Sequence, residues 1–191
     1  MSTLVRHESP IEYFKELVDE AIAHQHVDAG RDTAFYVVNL LAGFASRSGM
    51  PDDEPLAIAL TRALSSGGSQ QRRELRRVGD VSLFVAGFFS DSLKRSLVDV
   101  DYYASLGGYA YGSLSRVECD TIADVFGELA EKFAAFVDVL NEVSERSSMS
   151  RNTDILRLYE KWLRTGSRRD GERLANRGIV PNSSIGSRFI Q

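Results

Sequence analysis

Cysteine is almost missing from this sequence: Cys119 stands alone among 191 residues. One thiol can neither close an intrachain disulfide nor supply a multi-cysteine metal site, which suits a reducing compartment. Histidine is scarce as well, with three in the chain. No Glu-x-x-His and no His-Glu-x-x-His occurs, so the ligand pairs that metal-bearing helices present on one turn are lacking. Glu20 and His24 are spaced i,i+4, with His26 and Asp28 nearby, but His24 and His26 lie on different faces. That group reads as a helix end where histidine meets the C-terminal dipole. There is no Gly-x-Ser-x-Gly, no P-loop and no dinucleotide fingerprint; Gly67-Gly68 lacks a following lysine and a preceding strand. The longest apolar run, Val81 to Phe89, is broken by Gly87 and flanked by Asp80 and Asp91, far short of the ~20 residues of a membrane span. Arg6 and Glu8 bring charge too early for a signal peptide. No internal repeat or sustained heptad is present. The expectation is a soluble, cytoplasmic protein with no cofactor, no metal and no membrane span.

What remains is ordinary globular material, 43% hydrophobic and 26% charged. The net charge of −4 is unevenly placed: residues 1–145 carry 23 acids against 13 bases, and residues 146–191 carry 4 against 10. A basic end on an acidic body either packs on that body or reaches an acidic partner or polyanion.

The periodicities predict an all-α fold, a single compact domain of about six to eight helices in a bundle-like or orthogonal array. Residues 1–165 form the helical domain and 166–191 a basic, partly flexible arm. Ser9-Pro10-Ile11-Glu12 reads as a capping box, followed by an apolar stripe from Phe14 to Ile22. A second helix, about 32–47, is apolar on most faces and is expected at the centre with the fifth and sixth. The third starts with Pro55 just inside, and 65–69 reads as a loop by composition. Val81–Phe89 reads as buried helix, because a lone strand has no ladder partner. Asp99 caps a fifth helix, about 100–114, whose Gly107, Gly108 and Gly112 imply close backbone approach, a kink or a non-helical segment. A single long sixth helix is expected over about 119–146, with shorter ones near 153–164 and 168–177.

Three groups are candidates for function. Asp80, Asp99, Asp101, Tyr102 and Tyr103 are the most distinctive: either Asp80 and Asp99 are helix N-caps with half-buried tyrosines, or the group forms a ligand pocket under a glycine-rich helix. Arg72, Arg73, Arg76 and Arg77 form an i,i+4 stripe that is either a solvated face or a phosphate-binding one. Arg164, Arg168, Arg169, Arg173 and Arg177 lie in a helix–turn–helix-like stretch. DNA reading there is not favoured, since the second helix has few apolar anchors. Cys119, at a helix start, reads as an inert thiol. The leading expectation is a non-enzymatic interaction or regulatory protein, self-associating, with a protein partner at the basic arm. A small-ligand pocket or unusual enzyme at the Asp/Tyr group, and nucleic-acid binding by the arginines, are the alternatives.

Overall fold

The computed structural model describes residues 9–46, 54–93, 99–147 and Arg168. They form the expected all-α fold, with no strand among the described residues. In chain order the helices are α1 (Pro10–His24), α2 (Arg31–Ser46), α3 (Leu56–Ser65), α4 (Gly68–Phe88), the single turn α5 (Ser90–Leu93), α6 (Val100–Val117), α7 (Asp120–Glu131) and α8 (Phe133–Arg146). The expected helices near 153–164 and 168–177 lie outside the described residues, apart from the helical Arg168. No helix among those described is long and apolar enough to cross a membrane.

Local chemistry sets the starts. The Glu12 N–H donates to Ser9 Oγ at 3.2 Å and the Ser9 N–H donates to Glu12 Oε2 at 3.1 Å, completing the box that opens α1. Phe14, Val18 and Ala21 then bury one stripe. Asp99 caps α6 by accepting from the Tyr102 N–H at 3.0 Å. Pro55 sits at the cap of α3 rather than inside it. The Ser/Gly loop is also shorter than composition implies: α4 begins at Gly68, whose φ of 60° is a left-handed value that a side chain would resist.

The centre is α4, which corrects the expectation for α2. Every residue from Val81 to Phe88 is buried, and α3, α6 and α8 all pack on α4. By contrast Phe35 on α2 is 59% exposed. The expected long sixth helix is two helices, interrupted at Lys132. Its halves bury against different neighbours: α7 lies on α6 and α2, and α8 lies on α4 and α1. Lys132 holds the break, its Nζ donating to Glu128 Oε1 at 2.9 Å and to the carbonyl oxygen of Asp28.

Two glycines let the helices interlock. A methyl group at Gly87 would overlap Leu140 on α8, and one at Gly107 would overlap the Phe133 ring and Ser82. Of the α6 glycines, Gly107 therefore marks a close approach within a continuous helix, while a methyl group at Gly108 or Gly112 would meet only ordinary contacts. Gly43 on α2 differs, with open space where a side chain would stand. Replacing Gly87 by Ala is expected to cost about 1–2 kcal/mol, overpacking outweighing the gain in helix propensity. The same change at Gly43 is expected to stabilise by about 1 kcal/mol. Urea unfolding of the two variants checks the opposite signs.

Candidate functional site

An open cleft of about 430 Å³ lies between α2 and α4. On α4, Arg73, Arg76, Arg77, Asp80 and Val81 recur at helical spacing and line it; Tyr36, Asn39, Leu40, Gly43 and Phe44 do the same on α2. The two helices run in register here. Tyr36 faces Arg76 and Asp80, and Phe44 stacks on Phe84 with ring centroids 4.1 Å apart. The cleft is consequently polar and cationic at one end and apolar at the other, where Leu40, Phe44 and Val81 make the lining.

Asp80 organises the polar end. Its Oδ1 accepts from the Tyr36 hydroxyl at 2.7 Å and from the Tyr111 hydroxyl at 2.8 Å. Tyr111 comes from α6, is wholly buried, and lays its ring where a side chain on Gly79 would stand. Burial, then the adjacent Asp80 charge, pushes both phenols far above their usual range, against a smaller opposing effect of Arg76. The Arg76 guanidinium sits 5.2 Å from the Phe126 ring centroid and 6.0 Å from that of Tyr36. Phe126 in turn packs edge-on against Tyr36 and is stacked with Tyr111.

The sequence-derived site residues are regrouped by this geometry. Asp80 is not a helix cap; it lies within α4. Asp99 is the cap of α6, Asp101 is exposed, Tyr102 is 37% exposed, and Tyr103 is half-buried against the core. Tyr111, the α6 residue that bonds Asp80, stands about 13 Å further along that helix than Tyr102. The structure thus does not bring Asp80 together with the residues at 99–103. Tyr36 and Tyr111 were missed as partners of Asp80. The available signal was that a phenol on a mostly apolar helix face needs an acceptor.

The arginine stripe divides. Arg72 donates to the Val117 carbonyl oxygen at 3.3 Å. Arg77 lies 3.6 Å from both Glu54 and Glu74, which also bind Arg62 at 2.6 and 3.1 Å. Arg73 and Arg76 are exposed at the cleft. Arg168 is exposed, and Arg164, Arg169, Arg173 and Arg177 lie outside the described residues. His24 donates or accepts through Nδ1 at 3.0 Å from Glu142 Oε2, and no group of three His, Cys, Asp or Glu that could hold a metal occurs among the described residues. Cys119 is exposed ahead of α7.

A second carboxylate sets where α2 begins. Glu128 of α7 accepts from the Gly30 N–H at 3.0 and 3.1 Å and from the Thr33 hydroxyl, with Lys132 alongside. Burial alone would raise its pKa, but the hydrogen bonds from Thr33, Gly30 and Lys132 outweigh that and lower it.

Two outcomes follow from these bonds. In alkaline titration followed by tyrosinate absorbance, Tyr36 and Tyr111 are expected to stay protonated beyond the ordinary phenol range. A phenol with a raised folded pKa stabilises the fold fully below its unfolded pKa of about 10 and ceases to do so as pH rises through the folded value. Replacing both by Phe should therefore remove the late-titrating phenols and flatten the loss of stability above that pH. Glu128 has the opposite sign: its contribution is present above about pH 4.3 and is lost as pH falls through its lowered folded pKa. Glu128→Ala is expected to cost about 1–2 kcal/mol at neutral pH and to weaken the acid dependence of the melting temperature. Comparison of the chain with family models, curated proteins and solved structures finds no match.

Proposed function

We propose that this chain is a non-catalytic interaction protein, acting in a cytoplasm, whose α2–α4 cleft receives the acidic part of a partner. The observation that supports this best is the pair of exposed arginines, Arg73 and Arg76, at one end of an apolar groove. Neither makes an ion pair with another described residue, although the chain as a whole is acidic. Binding suits the site better than turnover. Asp80 accepts from two phenols that stay protonated, so the most enclosed acid of the cleft is held as an acceptor and not poised as a base.

In the same proposal, the basic arm at 166–191 adds a second cationic contact. The exposed Phe35, Ile58 and Leu64 offer apolar surface to the partner or to a second copy. A nucleic acid would meet these arginines too, but phosphate tracking needs a longer row of unpaired cations than Arg73 and Arg76, since Arg77 at the same cleft is paired with Glu54 and Glu74.

The test uses polyglutamate as the probe and fluorescence anisotropy as the readout. Affinity is expected to fall steeply with salt and to drop at least about tenfold in the Arg73→Glu, Arg76→Glu double variant. Arg72→Glu, which turns away from the cleft, should change it far less. An equal loss in all variants, or none in the double variant, would refute the cleft as the site.

A further inference from the structure

We infer that the occupant of this cleft is a peptide segment bearing a carboxylate and an apolar side chain on one face, about 12 Å apart. The inference rests on the cleft reading above and specifies its ligand. The cationic end is set by Arg73 and Arg76 beside Tyr36, and the apolar end by Phe44 and Val81. From Tyr36 to Phe44 along α2, and from Arg73 to Val81 along α4, the helical rise between lining residues is about 12 Å in each case. A free amino acid or similar small acid is too short to reach both ends. Two side chains about two turns apart on a peptide helix span the distance, as does about four residues of extended chain.

Two further features favour a chain over a compact ligand. Small-molecule sites enclose most of their ligand, whereas this cleft is partly open to solvent. A separate apolar surface lies beside the cationic end: Phe35, next to Tyr36 in sequence, is 59% exposed and one turn before Asn39, whose side chain donates to the Phe35 carbonyl oxygen at 2.8 Å. A peptide can leave the groove and cover Phe35. Gly43 makes the groove floor accessible, since nothing stands within 4 Å of where its side chain would be.

The probes are a synthetic Ala/Gln-based helical peptide with Glu and Leu two turns apart, its Lys-for-Glu counterpart, and dodecanoate as a long amphipathic carboxylate of the same reach. Amide NMR shifts of the full chain locate binding, and anisotropy measures it. The expected result is that the Glu peptide shifts amides of α2 and α4 around Tyr36, Gly43 and Arg76, while the Lys peptide does not. Arg76→Gln should weaken the Glu peptide about tenfold, as loss of one charge-assisted contact. Gly43→Leu, whose Cβ meets open space at this lining position, should abolish the α2 and α4 shifts while its far-UV circular dichroism stays that of the parent chain. If dodecanoate shifts these amides and the peptide does not, the peptide inference is wrong and the anionic cleft stands. If the Glu and Lys peptides bind alike, the inference is equally overturned. If no acidic probe, polyglutamate included, moves these amides, the cleft reading falls with it.

Discussion

The Oδ1 oxygen of Asp80, in the middle of α4, accepts hydroxyls from Tyr36 on α2 and Tyr111 on α6, and the spacing of those three helices depends on it. A carboxylate withdrawn from water is tolerable only when its oxygens are met by donors, and two phenols supply that here. The arrangement constrains its surroundings in turn. Tyr111 can reach Asp80 only because residue 79 has no side chain, its ring occupying that space. Phe126 then packs against both phenol rings, and the Arg76 guanidinium covers Phe126 from the solvent side. Removing one member leaves buried polar atoms without partners, so the group is cooperative and not a sum of pairs.

This contact also ties the cleft walls together. The helix α2 is held at its start by Glu128 of α7, through Gly30 and Thr33, and in its middle by Asp80 of α4. A third hold is the stacking of Phe44 on Phe84. The first attachment ties the start of α2 to α7, and the other two join α2 to α4 at the two ends of the cleft. The cleft walls are thus bridged by side chains, not by close backbone packing. The other side of α4 is closed by interlocking instead: Gly87 receives Leu140 of α8. The same helix thus presents a sealed stretch to the core and a wetted one to the cleft, as its sequence changes from arginine-rich to apolar, apart from Ser82, at Val81.

Local signals were legible and tertiary ones were not. The capping box at Ser9 and Glu12 and the cap at Asp99 involve atoms three residues apart, so the sequence carries all of each interaction. The break at Lys132 is different. The apolar spacing runs straight through it, and what ends α7 is that its two sides pack on different helices. Gly79-Asp80 before an apolar run resembles a helix start for the same reason: glycine and aspartate are residues of caps and turns. In the fold both serve a contact with Tyr111, which lies on another helix. Asp80 was thus legible as a residue of interest and the 99–103 group as a helix start. Their separation, and the joining of Asp80 to Tyr36, required the packing of α2 and α6 on α4.

The unequal treatment of the arginines is the last constraint on the cleft. Acids exceed bases in this chain, so a partner is easily supplied wherever one is needed. Arg62 and Arg77 share Glu54 and Glu74, and Arg146 binds Glu20 and Glu142. Arg76 instead lies over two aromatic rings, its guanidinium carbon 5.2 Å from the Phe126 centroid and 6.0 Å from that of Tyr36. A guanidinium attracted to ring faces is partly restrained before any carboxylate arrives, so it loses less freedom on pairing. A merely solvated arginine needs no such platform. The rings that fix Arg76 are those that surround the Asp80 contact, so the interaction that spaces the helices also orients the cleft's cation.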